Sequence, residues 1–170
     1  MTSIILRPYS SSDAPALSVI YAHYVKNSVV TFDLDAPDAN QIERKFSAIA
    51  QMGHPLVIAE IGDEVVGFAY ATYYRERPAY RFTCENAIYL SPDHLGKGFG
   101  SRLLGELLKK SKQFGFKQMV AIITLGTANS IALHKKHGFE ILGEFPDLGF
   151  KFDSWHGIIH MQKKLNPDLK

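Results

Sequence analysis

The chain has 170 residues, 46% of them hydrophobic and 21% charged, with a formal net charge of +2. That length predicts one domain over residues 1–170 with room for a substantial core, and the composition excludes a disordered polymer. Lys and Arg are scattered instead of forming a basic block, which argues against nucleic acid as a partner.

One cysteine, Cys84, excludes an internal disulfide and any C-x-x-C metal site, so a reducing, cytoplasmic compartment is expected. The start MTSIILRPYS lacks the pattern of a secretion signal. No apolar run approaches the ~20 residues of a membrane span, so no membrane association is expected.

In chain order, SIILRPY (3–9) predicts a short strand and SSDAPALSVIYAHYVKN (11–27) a helix, with Leu17, Ile20, Tyr21 and Tyr24 at helical spacing. TFDLDAPDAN (31–40) is a turn-rich connection. QIERKFSAIAQM (41–52) predicts a second helix with Ile42, Phe46 and Ile49 on one face. PLVIAEI and EVVGFAYATYYR, joined by Gly62-Asp63, predict a hairpin, and CENAIYL (84–90) a third strand.

Further on, GSRLLGELLKKSKQFG (100–115) predicts an amphipathic helix with a Leu103, Leu104, Leu107 and Leu108 stripe, stopped by Gly115. KQMVAIITL predicts a strand, NSIALHKKHG a helix, and FEILGEFPDL and SWHGIIHMQKKL two late strands able to pair antiparallel. The series predicts an α+β fold with helices on both faces of a sheet.

Between the third strand and the long helix lies DHLGKGFGSRLL (93–104), whose glycines would expose backbone amides at a helix N-terminus, where an anion such as phosphate is favoured. A P-loop is excluded because no Lys-Ser or Lys-Thr follows the last glycine. A dinucleotide fingerprint is excluded by the mid-chain position after antiparallel strands.

The stretch LGKGFG (95–100) resembles the pyrophosphate loop of the GNAT acyl-CoA N-acetyltransferases, and NSIALHKKHGFEILG (129–143) resembles their later helix, which ends in Gly-Phe before a strand. YYRERPAYRFTCENAIYLSP and GFKFDSWHGIIHMQ are similar to segments of the narrower phosphinothricin and methionine sulfoximine acetyltransferase group. The resemblance spans nearly the whole chain. It implies the GNAT fold, a mixed central sheet flanked by helices, with acetyl-CoA as co-substrate and a homodimer. It also implies N-acetylation of a small amino acid or analogue, with detoxification of an antibiotic or herbicide as one role. Leu95 departs from the Gln or Arg usual at that position of the loop.

By that resemblance Glu85 is the general base. Ile88, Tyr89 and Leu90 line the acyl arm, and Gly96, Lys97, Gly98, Phe99, Gly100 and Ser101 hold the pyrophosphate through their amides. Thr127 and Asn129 are alternative CoA contacts. His134 stands where many members carry a tyrosine, so it is read either as the acid for the departing thiolate or as a helix-surface histidine. Arg75, Glu76 and Arg77, with Glu85, Asn86 and Ala87, are the expected substrate contacts, since a guanidinium can clamp a carboxylate.

Phe32, Asp33, Lys151 and Trp155 are candidates for the same wall. Cys84, beside Glu85, raises a covalent route as an alternative to direct transfer. The remaining histidines show no ligand spacing, and no metal is expected. A peptide or polyamine acetyltransferase and a non-catalytic acyl-CoA-binding module remain rival readings.

Overall fold

The computed structural model describes residues 3–166. The elements are β1 (Ile5–Arg7), α1 (Ala14–Asn27), α2 (Ala39–Gln51), β2 (Leu56–Ile61), β3 (Glu64–Tyr73), β4 (Thr83–Leu90), α3 (Phe99–Phe114), β5 (Gln118–Thr124), α4 (Ala128–Lys136), β6 (Glu140–Lys151) and β7 (Ser154–Lys164). They form the expected mixed sheet flanked by helices, in the order β1-β2-β3-β4-β5-β7-β6.

Side-chain alternation along the strands divides the core in two. Leu56 and Ile58 of β2 pack with Phe68 against Leu17, Ile20, Ile42, Phe46 and Ile49 of α1 and α2. Val57 and Ala59 face the other way, where Ala69, Ala71 and Met119 meet Leu103, Leu104 and Leu107 of α3. Leu108, expected in that stripe, is only partly buried at the margin.

Pairing is antiparallel throughout except between β4 and β5. That parallel ladder has three rungs, Thr83 with Gln118, Cys84 with Met119 and Glu85 with Val120. Beyond them β4 stays with β3 as far as Leu90, while β5 follows β7 as far as Thr124. The two halves of the sheet therefore part at Asn86 and open a wedge.

The first strand is shorter than expected because Pro8 supplies no N–H to extend its ladder. Ser11–Asp13 is a 3-10 turn, and α1 proper starts at Ala14. Arg7 closes this corner: its guanidinium donates two hydrogen bonds to Asp13, at 2.8 and 2.9 Å, and one to Glu60 at 2.7 Å. α2 starts at an Asp38–Gln41 capping box, in which the Asp38 carboxylate accepts from the Gln41 amide at 2.8 Å and the Gln41 side chain accepts from the Asp38 amide at 2.9 Å. Among the described residues no helix is long and apolar enough to cross a membrane.

Burial alone would raise the Asp13 pKa, but the Arg7 bonds and the Ser10 amide outweigh it and hold the carboxyl below its ordinary value. A depressed folded pKa stabilises the fold above the unfolded value of about 3.9, and the contribution is lost as pH falls through the folded value. Asp13→Ala is expected to cost about 2 kcal/mol in urea denaturation at pH 7. The difference from the parent should shrink below about pH 4; a pH-independent difference would contradict the ion-pair assignment.

Candidate active site

The wedge exposes one edge of β4. The Thr83 carbonyl accepts from the Tyr74 amide and the Ser91 amide donates to Val66, so odd-numbered residues of this stretch bond to β3. Even-numbered residues then turn their amides and carbonyls toward the gap. At the far end the Leu90 carbonyl is taken by the Tyr24 hydroxyl, at 2.7 Å. Ile88, in between, lies beyond the last β5 rung with its backbone facing the opening.

Two connected cavities occupy the wedge. One, of about 250 Å³, is lined by Glu85, Asn86, Ala87, Ile88 and Tyr89 of β4, with Phe32, Tyr70 and His134. The other, a groove of about 630 Å³, is lined by Ile88, Leu90, Leu95, Gly96, Gly100, Thr127, Asn129 and Leu133. Val30, Ile88, Thr127 and Ser130 border both, so the two run together.

On the α1/α2 face the connection between those helices forms a roof. The Thr124 hydroxyl donates to the Val29 carbonyl at 2.6 Å, and Lys151 Nζ to the Thr31 carbonyl at 2.8 Å. The Tyr21 hydroxyl donates to Asp33 at 2.6 Å and shares a hydrogen bond with Thr31 at 2.9 Å. The Phe32 ring occupies the space where a Cβ on Gly149 would stand, so a larger residue at 149 would displace it. Lys151 thus acts as a buried strut of the roof, while Trp155 is 61% exposed and packs on Phe150.

Glu85 is half-buried in the wedge, and burial raises its pKa above the ordinary value, partly offset by the Arg75 charge. The surface reading of His134 is overturned: the side chain is 2% exposed and packs edge-on against Phe139. Its Nδ1 lies 2.8 Å from the Ser130 carbonyl, which can only accept, so Nδ1 carries the proton. Nε2 then turns its lone pair to the Asn86 amide at 3.2 Å. Burial lowers the His134 pKa, with the His137 charge adding to it, so the ring is neutral near pH 7.

At the groove's other end Gly96 and Gly98 adopt left-handed backbone, with φ of 74° and 79°, and Gly98 is the N-cap of α3. The free amides of the α3 first turn follow directly, a ready cradle for an anion. Of the loop residues, Gly96 and Gly100 line the groove. Phe99 is buried, Lys97 turns its ammonium back to the Asp93 carbonyl, and the Ser101 hydroxyl pairs with His137 at 2.9 Å. Thr127 and Asn129 both border the groove, so the sequence alternatives are neighbours. The Thr127 hydroxyl, however, is engaged by the Thr124 carbonyl at 2.6 Å.

Arg75, Glu76 and Arg77 are exposed on the segment after β3 and outside the cavity wall. Arg75 stacks on Tyr74, 4.3 Å from its ring centroid, and Arg81 on Phe82 at 4.5 Å. Arg75 reaches Glu85 through its field. Cys84 is fully buried on the α3 side, where burial pushes its thiol up to about 12. A thiol so placed is no nucleophile near neutrality. Sequence reasoning missed Tyr24, Thr124 and Tyr70 because their partners lie far along the chain.

An anion cradle at a helix N-terminus, an apolar groove and an open strand edge together suit a long donor with a phosphorylated head and an amide-bearing arm. Comparisons with known proteins agree. Residues 20–139 match the acetyltransferase (GNAT) family. The phosphinothricin N-acetyltransferase of Alcaligenes faecalis is 35% identical over 95% of this chain and 82% of its own length. The L-methionine sulfoximine/L-methionine sulfone acetyltransferase of Pseudomonas aeruginosa is 34% identical over 97% and 96%. A crystal structure of a GNAT superfamily phosphinothricin acetyltransferase from Sinorhizobium meliloti, in complex with acetyl-CoA, superposes with a TM-score of 0.93 at 40% identity, covering 98% of this chain and 90% of that one.

Proposed function

The chain belongs to the GNAT acetyltransferase family, and from that premise we propose that it acetylates the α-amine of a small amino acid or analogue of the methionine sulfoximine, methionine sulfone or phosphinothricin type. It is an N-acetyltransferase, and acetyl-CoA is its co-substrate. The acceptor class rests on the relatives' activities together with a cavity of about 250 Å³ beside Glu85, which has room for a small amino acid.

Transfer is direct. Glu85, at the end of the parallel ladder, takes a proton from the acceptor's ammonium, itself or through a water. Its raised pKa makes it a stronger base than a surface carboxylate. The Ile88 amide, facing the gap, donates to the thioester carbonyl, where negative charge develops as the C–N bond forms. As the C–S bond breaks, His134 passes a proton to the thiolate. The neutral ring first accepts that proton at Nε2 from the attacking nitrogen, which sheds its second proton once the C–N bond has formed, and its lowered pKa makes the resulting imidazolium a ready donor.

Gly96 and Gly98 through Ser101 receive the donor's phosphates through their amides, and Asn129 borders the arm. Arg75 and Arg77, at the mouth, draw in the acceptor's carboxylate. Homodimer formation is part of the reading. Leu142, Leu148, Phe150, Phe152 and Trp155, each more than half exposed on the edge hairpin β6–β7, with Phe150 packed on Trp155, are apolar groups that a second copy would cover.

Glu85→Gln should lower kcat for methionine sulfone by about 10²- to 10⁴-fold, with acetyl-CoA affinity unchanged. It should also remove the acid limb of the kcat/KM profile, which in the parent lies above the ordinary carboxylate pKa of 4.5. Cys84→Ala should keep its turnover, measured by thiol release. Unchanged rates in Glu85→Gln would take the base role from it. Turnover confined to peptides or polyamines would overturn the acceptor class, and CoA binding with no turnover on any acceptor would make the chain a binding module. Sedimentation equilibrium should give twice the chain mass; a monomer at micromolar concentration would refute the dimer.

A further inference from the structure

We propose that Tyr70 and Lys45 form the subsite for a hydrogen-bond-accepting oxygen on the acceptor's side chain, with Tyr70 making the contact and Lys45 positioning its hydroxyl. The proposal rests on the amino-acid reading above and deepens it. Lys45 projects from α2 and donates from Nζ to the Tyr70 phenol oxygen at 3.0 Å. An ammonium has donors and no lone pair, so the direction of this bond is fixed. Tyr70 accepts, and its own O–H must point elsewhere.

Among the described residues no acceptor takes that proton. Two neighbouring hydroxyls are already engaged, Tyr21 with Asp33 and Thr31, and Tyr24 with the Leu90 carbonyl. Tyr70 lines the same cavity as Glu85. A cation bonded to the phenol oxygen polarises the O–H and makes it a stronger donor. Lys45 is exposed on α2 but gathers three rings about its ammonium, with Nζ 5.0 Å from the Tyr70 ring centroid, 5.7 Å from that of Phe46 and 6.0 Å from that of Tyr21.

Strand register sets the span. Tyr70 pairs with Ala87, and Thr72 with Glu85. Cross-strand partners face the same side of a sheet, so Tyr70 lies one side-chain repeat from Glu85 on the α1/α2 face, a step of roughly 7 Å. Ala87, the residue between Glu85 and Tyr89 on that face, ends at its Cβ and leaves the step open. An amino acid with its amine at Glu85 and a side chain of three or four heavy atoms bridges that distance, bringing its terminal group to Tyr70. A sulfone, sulfoximine or phosphinate offers an oxygen there, whereas a thioether sulfur is a weak acceptor. A site built to donate to an oxygen discriminates against the analogue that lacks it.

The test compares methionine sulfone with methionine as acceptors at saturating acetyl-CoA, for the parent, Tyr70→Phe, Lys45→Met and Lys45→Arg. Acceptor affinities are measured by calorimetry alongside turnover. The parent should favour the sulfone at least about tenfold in kcat/KM, by the worth of a good hydrogen bond. Tyr70→Phe and Lys45→Met should lose most of that preference through the sulfone alone, Lys45→Arg should keep it, and the KM for acetyl-CoA should not move. An unchanged preference in Tyr70→Phe, or equal losses for both acceptors, would overturn the subsite while leaving the amino-acid reading intact. A parent that binds and acetylates neither acceptor would overturn both.

Discussion

Three rungs of parallel pairing, Thr83–Glu85 against Gln118–Val120, join the two halves of the sheet. A longer ladder would close the wedge, and its absence would separate the sheet into two. β5 is kept from following β4 further because it pairs with β7 over seven positions, from Gln118 to Thr124. β4 is held to β3 through Leu90. The backbone groups of Ile88 are consequently left to solvent or ligand in the middle of a sheet, where an unmade hydrogen bond costs about 1–3 kcal/mol if water is excluded. An extended amide-bearing arm laid along β4 removes that cost, which explains how a sheet defect becomes a binding site.

The same wedge sets the proton chemistry. Removing Glu85 from bulk water raises its pKa, and removing His134 lowers the imidazole's. Burial thus moves the two groups' pKa values toward each other. The roof contributes by exclusion. Thr124, Lys151 and Tyr21 fasten the α1–α2 connection over the cavity by bonds to Val29, Thr31 and Asp33. Of these three only Thr124 lines the cavity that holds Glu85, and the other two hold its cover in place.

Much of the fold was legible in the sequence because its signals are local. Apolar periodicity and cap residues marked every helix and most strand limits, and the glycines of 96–100 marked the turn that opens α3. Two site readings depended on contacts that only the folded chain makes. His134 reads equally well as a surface residue, since Lys135 and Lys136 follow it; burial comes from Phe139 and Asn86, which only the folded chain brings to it. Arg75 and Arg77 read as substrate contacts by resemblance and by the fit of a guanidinium to a carboxylate, yet their segment is exposed and outside the cavity wall, with Arg75 stacked on Tyr74. Lys45 gave no signal at all, being one of several charges on an amphipathic helix. Its meaning depends on Tyr70, 25 positions away, across the α2–β3 contact.

Amide hydrogen exchange at Ile88, followed by NMR with and without acetyl-CoA, tests the wedge most directly. Its N–H faces the gap, whereas those of Ala87 and Tyr89 are committed to β3. The account requires Ile88 to exchange fast in the free protein and to slow at least about tenfold on binding, with Ala87 and Tyr89 protected in both states. An Ile88 amide that exchanges equally fast in the complex, under conditions where the enzyme turns over, would contradict the open edge of β4 as the place where the donor is held.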